Sequence, residues 1–248
     1  EAFKRRTSVY FPNRVLPMLP RELSNGICSL NERVDRLALS VLVEYDKDFN
    51  KVGYDIKESV INSKKRFTYT QVHAVLMDDP KALAEFKPFV SMLKNMNILA
   101  QKLMEQRQKA GYIEFDIPEV SISLNDLGDV LTVTKREQNE SHKLIEAFMV
   151  AANEVVAQHF CKLKIPFVYR VHETPAPEKV ATFVEYAKSL GIDAKLNVEN
   201  VTPLQIQKML KSIEKNDNRF VINRVCLRSM KKAKYMPDCL GHFGLALK

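Results

Sequence analysis

Acidic residues spaced as in a calcium-binding loop are the first candidates for chemistry in this sequence. Asp46, Asp48 and Asn50 follow the alternation by which an EF-hand loop supplies its first oxygen ligands. The glycine that such a loop needs for its sharp turn is replaced by Lys51, and Lys57 occupies the position of the bidentate glutamate. Since a lysine ammonium would repel the ion, we interpret this stretch as the polar turn of a β-hairpin.

The other patterns that carry chemistry are also incomplete. The five histidines form no H-E-x-x-H pair and no cluster with cysteine, so a zinc site is not expected. Gly241 and Gly244 are closely spaced but lack the rest of any phosphate-binding fingerprint, and no G-x-S-x-G motif favours a serine hydrolase. The cysteines are scattered, which is typical of reduced thiols in a cytoplasmic protein. They are Cys28, Cys161, Cys226 and Cys239.

The charge balance favours a polyanionic partner. The 248 residues contain 38 Lys and Arg against 30 Asp and Glu, a formal net charge of +8. Basic clusters at residues 64–66 and at Lys231, Lys232 and Lys234 predict a basic surface, although a solvated charged face explains each cluster equally well. No apolar run approaches the length needed to cross a bilayer, so no membrane association is expected.

Hydrophobic periodicity predicts two hairpins and several helices. The first hairpin pairs strands near 36–45 and 54–60. The second has strand-like segments at 112–115 and 120–123, a turn at 125–128 and a return at 130–134. Further strands are predicted at 167–171 and 243–247.

The predicted helices are bounded by proline, glycine and capping residues. The patterns favour helices at 70–77, 82–110, 140–162 and 218–235, one that ends near Gly191, and one that begins at Thr202-Pro203. Pro88 should kink or restart the second of these, and Gly111 should end it at the C′ position. Because strands and helices mix without βαβ alternation, the sequence predicts an α+β fold, most simply a single domain.

Segments spread along the whole chain, in collinear order, resemble one enzyme family. They are SVYFP at 8–12, PMLP at 17–20, LSNGICSL at 23–30, DRLA at 35–38, Tyr69 with Val72, LIE at 144–146 with Met149, Ala152 and Asn153, YRVHE at 169–173, RSM at 228–230 with Ala233 and Tyr235, and GHFGLAL at 241–247. Together they resemble the catalytic RNB domain of the ribonuclease II/ribonuclease R exoribonucleases. The last two segments favour the ribonuclease R branch.

The resemblance implies a single RNB-type domain over residues 1–248, with mixed or antiparallel sheet and packed helices. It also implies an enzyme that hydrolyses RNA from its 3′ end to nucleoside 5′-monophosphates with a divalent metal, usually Mg²⁺. The expected partner is single-stranded RNA or RNA with a 3′ overhang, while DNA is not expected and protein partners are not indicated. A basic channel that follows phosphates, with aromatic rings that stack on bases, suits such a substrate.

Four residues acquire roles through the resemblance. Tyr10 matches the family tyrosine that stacks on the 3′-terminal base, and Phe115, in IEFD at 113–116, matches the aromatic on the other side of that clamp. Tyr69 matches a tyrosine that holds the RNA near the active site, and Glu146 matches a glutamate with a supporting catalytic role. From residue type alone, the aromatics would be packing residues and Glu146 a solvated helix carboxylate.

Some family segments have no counterpart here. The D-x-D-D metal-binding cluster belongs before the segment that begins at Glu1, and the arginine-bearing SPIRRY segment belongs after Lys248; the flanking OB-type modules are also missing. We therefore interpret the chain as an internal RNB segment that has no metal ligands of its own and is inactive alone. The alternatives are a non-catalytic RNA-binding or scaffold module and a basic α+β protein with coincidental motifs.

Overall fold

The computed structural model describes residues 2–115, 117–118, 120–135 and 138–247. The chain forms two compact units: the first comprises Glu1–Asn97 and Pro118–Ile145, and the second comprises Ile98–Ile117 and Glu146–Lys248. Two long helices, α4 (Val90–Ala110) and α5 (Glu140–Leu163), contribute residues to both units. The single domain over residues 1–248 stays a prediction. None of the described helices combines the length and apolar character that a membrane span requires.

Three antiparallel hairpins supply the strands of the first unit. They are β1 (Val9–Tyr10) with β2 (Val15–Leu16), β3 (Asp35–Tyr45) with β4 (Lys51–Asn62), and β5 (Val120–Leu124) with β6 (Val130–Lys135). The two longer hairpins are the predicted ones. Between β3 and β4, Asp46 Oδ1 accepts hydrogen bonds from the backbone N–H groups of Asp48 at 2.9 Å and Asn50 at 2.8 Å. These bonds close the hairpin turn that the sequence predicted at this point.

The β3–β4 hairpin leaves many of its apolar side chains in solvent. Leu37 is 85% exposed, and Val60, which lies opposite it in the register, is also exposed. Within the described part of the chain, the two strands pair only with each other. A two-stranded ribbon of this kind buries little apolar surface and is only marginally stable by itself.

Two helices of the first unit, α2 (Tyr69–Leu76) and α3 (Pro80–Glu85), begin at residues with strong capping chemistry. The unit also contains α1 (Ala2–Arg5) and the first part of α4. Thr68 and Gln71 form a capping box at the start of α2. Asp79 precedes Pro80 and accepts a hydrogen bond from the Ala82 N–H at 2.9 Å, so it caps the start of α3.

Pro88 divides the helical stretch predicted over 82–110. It lies in a 3₁₀ turn, Lys87–Phe89, and α4 starts at Val90, so the predicted restart is confirmed. The apolar core of the first unit lies around this turn. It consists of Val75, Ala82, Phe86 and Leu93.

Helices dominate the second unit. It contains the later parts of α4 and α5, then β7 (Tyr169–Val171), α6 (Pro177–Ser189), α7 (Pro203–Ser212), α8 (Arg219–Ser229) and β8 (Lys234–Met236). Thr202 begins α7 through a capping box with Gln205, as predicted. The core draws on every one of the helices α6 to α8. Its buried residues include Ile113, Val180, Phe183, Ala187, Ile206, Met209, Leu210, Ile222, Cys226 and Phe243.

The strand predicted at 112–115 is wrong. The segment follows a helix end directly, and the Ile113 backbone N–H donates one hydrogen bond, to the Gly244 carbonyl at 3.0 Å, without a ladder. The Ile113 side chain is buried in the core of the second unit. Burial of this one side chain, rather than strand pairing, therefore explains the apolar pattern.

The predictions for the last thirty residues are also partly wrong. The helix predicted over 218–235 ends at Ser229, because Met230 is extended and the chain then pairs as β8 with β7. The strand predicted at 243–247 is a 3₁₀ turn, Phe243–Leu245. His242 Nδ1 accepts a hydrogen bond from the Leu245 N–H at 3.2 Å, which favours the turn over an extended segment.

The mixture of helices and antiparallel strands confirms the predicted α+β class. The described strands form four separate two-stranded sheets rather than one larger sheet. All four pairings are antiparallel. Among the described residues, the larger cluster of buried apolar side chains lies in the second unit.

Candidate functional site

Glu146 lies on α5, just outside the apolar stripe of that helix. Its sequence neighbours Leu144 and Ala147 are buried, whereas the Glu146 side chain is 42% exposed. Helical spacing explains the difference, because residues one or two positions apart point in different directions around the axis. The carboxylate is thus half accessible while its backbone is anchored by buried neighbours.

The end of α4 supplies two partners for this carboxylate. The Tyr112 N–H bonds to the Arg107 carbonyl at 3.0 Å, and the Gly111 N–H bonds to the Gln108 carbonyl at 3.2 Å. These two bonds define a Schellman motif with Gly111 at C′, where its φ is +104°, so the predicted helix end is confirmed. The motif brings the side chains of its first and last residues together, and the Arg107 guanidinium carbon lies 5.0 Å from the centre of the Tyr112 ring.

Both partners approach the same oxygen of Glu146. Arg107 Nη2 lies 3.4 Å from Glu146 Oε1, and the Tyr112 hydroxyl lies 3.5 Å from the same atom. The Arg107 side chain is only 11% exposed. Burial, and then the negative charge of Glu146, raise the pKa of Tyr112, so this phenol is a hydrogen-bond donor at neutral pH.

The turn that carries Arg107 and Tyr112 is fixed by α7. The buried Gln207 amide donates hydrogen bonds to the Gln108 and Tyr112 carbonyls, both at 2.8 Å. A Cβ on Gly111 would lie 2.9 Å from the Leu204 backbone nitrogen, so only glycine fits between the turn and α7. This turn, which is the frame behind Glu146, is therefore held in place by α7.

The two carboxylate oxygens of Glu146 differ in their hydrogen-bond partners. Oε1 meets two donors of the chain itself, whereas Oε2 has no donor among the described residues and can accept a hydrogen bond from a substrate hydroxyl or a water molecule. A half-exposed carboxylate in a fixed orientation is suited to orient a substrate.

Tyr69 is held by the first turn of α5. Its ring stacks on His142 with centroids 3.9 Å apart and planes 14° apart, and the Ser141 hydroxyl donates to the Tyr69 carbonyl at 2.9 Å. One helix position earlier, Glu140 lies 3.1 Å from Nδ1 of His73 on α2. Tyr69 is still 45% exposed. An aromatic ring that stacks on His142 with one face can stack on a base with its other face.

The two aromatics of the predicted base clamp lie in different units. Tyr10 is on β1 and is 76% exposed. Phe115 is partly buried and packs against the core of the second unit. Asp116, which completes the IEFD segment, lies outside the described residues. The clamp itself stays a prediction, as do the roles of Tyr69 and Glu146.

The predicted basic clusters use part of their charge within the chain. Glu32 accepts a hydrogen bond from the Arg66 backbone N–H at 2.9 Å and lies 3.8 Å from Lys65. Glu173 lies 3.0 Å from Lys234 and 3.7 Å from Lys231. Hydrogen bonding and charge from these lysines lower the pKa of Glu173. Local ion pairing thus competes with any phosphate at both clusters.

The described residues do not fit a catalytic metal. No group of three or more histidine, cysteine, aspartate or glutamate side chains in that part of the chain could hold an ion. The Glu146 carboxylate has an arginine beside it, which opposes a cation. The surroundings of Glu146 among the described residues are therefore those of an ion pair rather than of a metal cage.

A family model decides what kind of domain these elements form. The model described as "RNB domain" matches residues 1–248, the whole chain. The chain belongs to the RNB family. The resemblance of the motifs is therefore confirmed over their full extent.

Relatives of this RNB chain include named ribonucleases. Ribonuclease R of Thermotoga maritima is 44% identical over 247 residues, covering 99% of this chain but 34% of that protein. The structure of Mycoplasma genitalium RNase R in complex with double-stranded RNA is 29% identical, with a TM-score of 0.91, and the match covers all of this chain and 44% of the other. The RNB chain thus spans about a third of the length of the Thermotoga relative.

A more distant match bears on the fold alone. Yeast Ssd1, a pseudonuclease, is 21% identical with a TM-score of 0.71, and the match covers 99% of the RNB chain and 30% of Ssd1. The RNB fold is therefore shared with a protein described as a pseudonuclease, and the fold by itself does not establish catalysis.

Arg107 and Tyr112 are the site residues that sequence reasoning missed. Both lie at fixed offsets from Gly111, which was predicted as the C′ residue of α4. In a Schellman motif the residues four before and one after C′ come together, so this spacing could have placed their side chains next to each other. Nothing in the spacing, however, connects them to Glu146, which is 34 residues beyond Tyr112.

Proposed function

We propose that this chain is the RNB segment of a longer protein, here called the parent protein, and that the parent protein is a 3′-to-5′ exoribonuclease that hydrolyses RNA to nucleoside 5′-monophosphates. The observation that carries the proposal is the fixed, half-exposed carboxylate of Glu146 in a chain that is 44% identical to a ribonuclease R. Glu146 would accept a hydrogen bond from the end of the RNA and orient it for attack by water.

The exposed aromatics would supply affinity without sequence preference. Tyr10 and Tyr69 present rings to solvent, and an aromatic face stacks on any base, contributing about 1–3 kcal/mol per base. Phe115 would form the second side of the clamp with Tyr10. The substrate is single-stranded RNA or RNA with a 3′ overhang, because only unpaired bases can enter such stacks.

A divalent metal, Mg²⁺ in our proposal, would be held by segments of the parent protein other than the residues described above, which offer no ligand cluster. The present chain alone would then bind RNA without shortening it. The cytoplasmic location stays a prediction.

The test compares the parent protein with the present chain on 5′-labelled poly(A) in the presence of Mg²⁺. We expect progressive shortening to mononucleotides by the parent protein and none by the chain. In the parent protein, Glu146→Gln should lower kcat more than it raises KM. Glu185→Gln, which alters an exposed glutamate on α6, is the matched control and should behave as the unaltered protein.

The alternative is a non-catalytic RNA-binding or scaffold module, which the fold shared with a pseudonuclease keeps in consideration. The same experiment separates the two functions. Retention of the labelled RNA on the parent protein without shortening, at any divalent metal concentration, would refute the nuclease and support the binding module. Shortening by the purified chain alone would instead refute the assignment of the metal ligands to other segments.

A further inference from the structure

The Arg107 side chain is buried, but only one of its three nitrogens faces a hydrogen-bond acceptor among the described residues. Its Nη2 faces Glu146, but Nε and Nη1 are buried and have no hydrogen-bond partner among the described residues. Buried donors without partners are uncommon, because they lose hydration and gain nothing in return. An arginine at this place therefore calls for a role beyond the stability of the fold.

We propose that Arg107 is a positioning residue for Glu146: it holds Oε1 of the carboxylate against the end of α4 and thereby directs Oε2 towards the RNA. The inference rests on the proposed function, because it takes Glu146 as a group that meets the substrate.

Two donors that converge on one oxygen restrict a flexible side chain. A glutamate on a helix surface samples several rotamers, and each misdirected rotamer removes the carboxylate from its substrate. Arg107 Nη2 and the Tyr112 hydroxyl, at 3.4 and 3.5 Å, both select the rotamer that brings Oε1 to them. The Gln207 hydrogen bonds keep the turn that carries both donors in place.

The chemistry of the site favours arginine over lysine. The guanidinium lies over the Tyr112 ring while one nitrogen reaches Glu146, and a lysine ammonium is a point charge that cannot do both. A cation that served only to complement the carboxyl end of α4 could be either residue. Lys109 lies in the same last turn and is exposed, so it provides the comparison.

The kinetic test uses four variants of the parent protein: Arg107→Gln, Arg107→Lys, Glu146→Gln and the Arg107→Gln/Glu146→Gln double variant, with Lys109→Gln as the control. Arg107→Gln should lower kcat by about 10- to 100-fold, with a much smaller change in KM. Arg107→Lys should recover only part of this loss, and the double variant should be no slower than Glu146→Gln alone. Losses that add in the double variant, or a folded Arg107→Gln protein with unchanged kcat, would overturn the inference.

Tyr112 reports on the same contact without any RNA. Burial and the charge of Glu146 raise the pKa of Tyr112, whereas the charge of Arg107 lowers it. Glu146→Gln should therefore lower this pKa and Arg107→Gln should raise it. Tyrosinate absorbance immediately after an alkaline jump measures both shifts, with Tyr112→Phe subtracted as the blank.

The two measurements separate the inference from the function on which it rests. If neither variant shifts the pKa of Tyr112, the contact is absent and the inference is overturned, whatever Arg107→Gln does to folding. If both shifts occur but Glu146→Gln leaves kcat unchanged, the proposed role of Glu146 fails and the inference falls with it. If the shifts occur and kcat falls as expected, both stand.

Discussion

The surroundings of Glu146 and those of Tyr10 differ in how firmly the chain holds the side chain. Glu146 stands among buried helix residues and faces a guanidinium that is 11% exposed. Tyr10 lies on a strand of two residues and is 76% exposed. A group that orients a reacting end needs a fixed position, whereas a ring that stacks on any base tolerates movement. The difference therefore matches the two roles proposed for these residues.

The largest expected effect tests the packing of the second unit. Phe183→Ala empties a site that is 2% exposed and should lower the free energy of unfolding by about 3–5 kcal/mol. Leu37→Ala, on the exposed face of β3, should change it by less than about 0.5 kcal/mol. Hydrogen-exchange mass spectrometry of the parent protein, which reports local unfolding, would measure both. Equal losses of protection in the two variants would show that β3 is packed as firmly as the core of the second unit.

The next effect tests the frame behind Glu146. Gly111→Ala places a Cβ 2.9 Å from the Leu204 backbone at a φ of +104°, and should cost about 2–4 kcal/mol and reduce kcat. Gly128→Ala, in the β5–β6 turn, has a similar φ of +92° but no atom within 4 Å of its Cβ. Its cost should be the backbone strain alone, about 1–2 kcal/mol. The free energy of unfolding and kcat, measured for both variants, separate the backbone strain from the steric clash with Leu204. If Gly111→Ala costs no more stability than Gly128→Ala, α7 can move away from the added Cβ.

Tyr10→Ala tests whether the exposed ring of Tyr10 binds RNA. The parent protein should bind a short 5′-labelled single strand more weakly by about 1–3 kcal/mol, measured by fluorescence anisotropy without divalent metal, while its unfolding is unchanged. Phe3→Ala removes another highly exposed aromatic of the first unit and is the control. Unchanged affinity in a folded Tyr10→Ala protein would remove this ring from the proposed clamp.

The smallest effect compares two capping boxes of nearly equal geometry. In each, the threonine hydroxyl accepts a hydrogen bond from the glutamine N–H at 3.3 Å: Thr68 with Gln71, and Thr202 with Gln205. Thr68→Ala and Thr202→Ala should each cost about 1 kcal/mol. Thr202→Ala should loosen the α7 contact with the Gly111 turn and thereby lower kcat, whereas Thr68→Ala, in the cap of the helix that begins at Tyr69, should act on RNA affinity rather than on kcat. Equal effects on kcat would show that the Glu146 frame does not depend on the start of α7.

Local signals made the helices of this chain predictable. Thr202-Pro203, Asp79 before Pro80 and Gly111 each fix a helix end through bonds to the nearest backbone groups, so the sequence around them is sufficient. The same holds for the Asp46 turn. The segments at 112–115 and 243–247 were predicted incorrectly because their apolar residues serve contacts between distant parts of the chain, such as that of Ile113 with Gly244.

The same distinction between local signals and long-range contacts applies to the residues of the candidate site. Tyr10, Tyr69, Phe115 and Glu146 were found through a family resemblance and not through periodicity, since an aromatic or a glutamate in a helical or strand pattern has ordinary packing roles. The contact of Arg107 with Glu146 joins two helices across 39 residues. Only the tertiary fold of the second unit brings these charges together, and a contact of this kind is not encoded in any short motif.

The long β3–β4 ribbon has a practical consequence for the isolated chain. Eleven and twelve residues of extended backbone reach about 35 Å, and among the described residues the outer edges of both strands pair with no other strand. Unpaired edges flanked by solvent-exposed leucine and valine are templates for strand addition by another molecule. Preparations of this chain by itself should therefore tend to aggregate through this ribbon, and a lysine in place of Leu37 should improve their solubility.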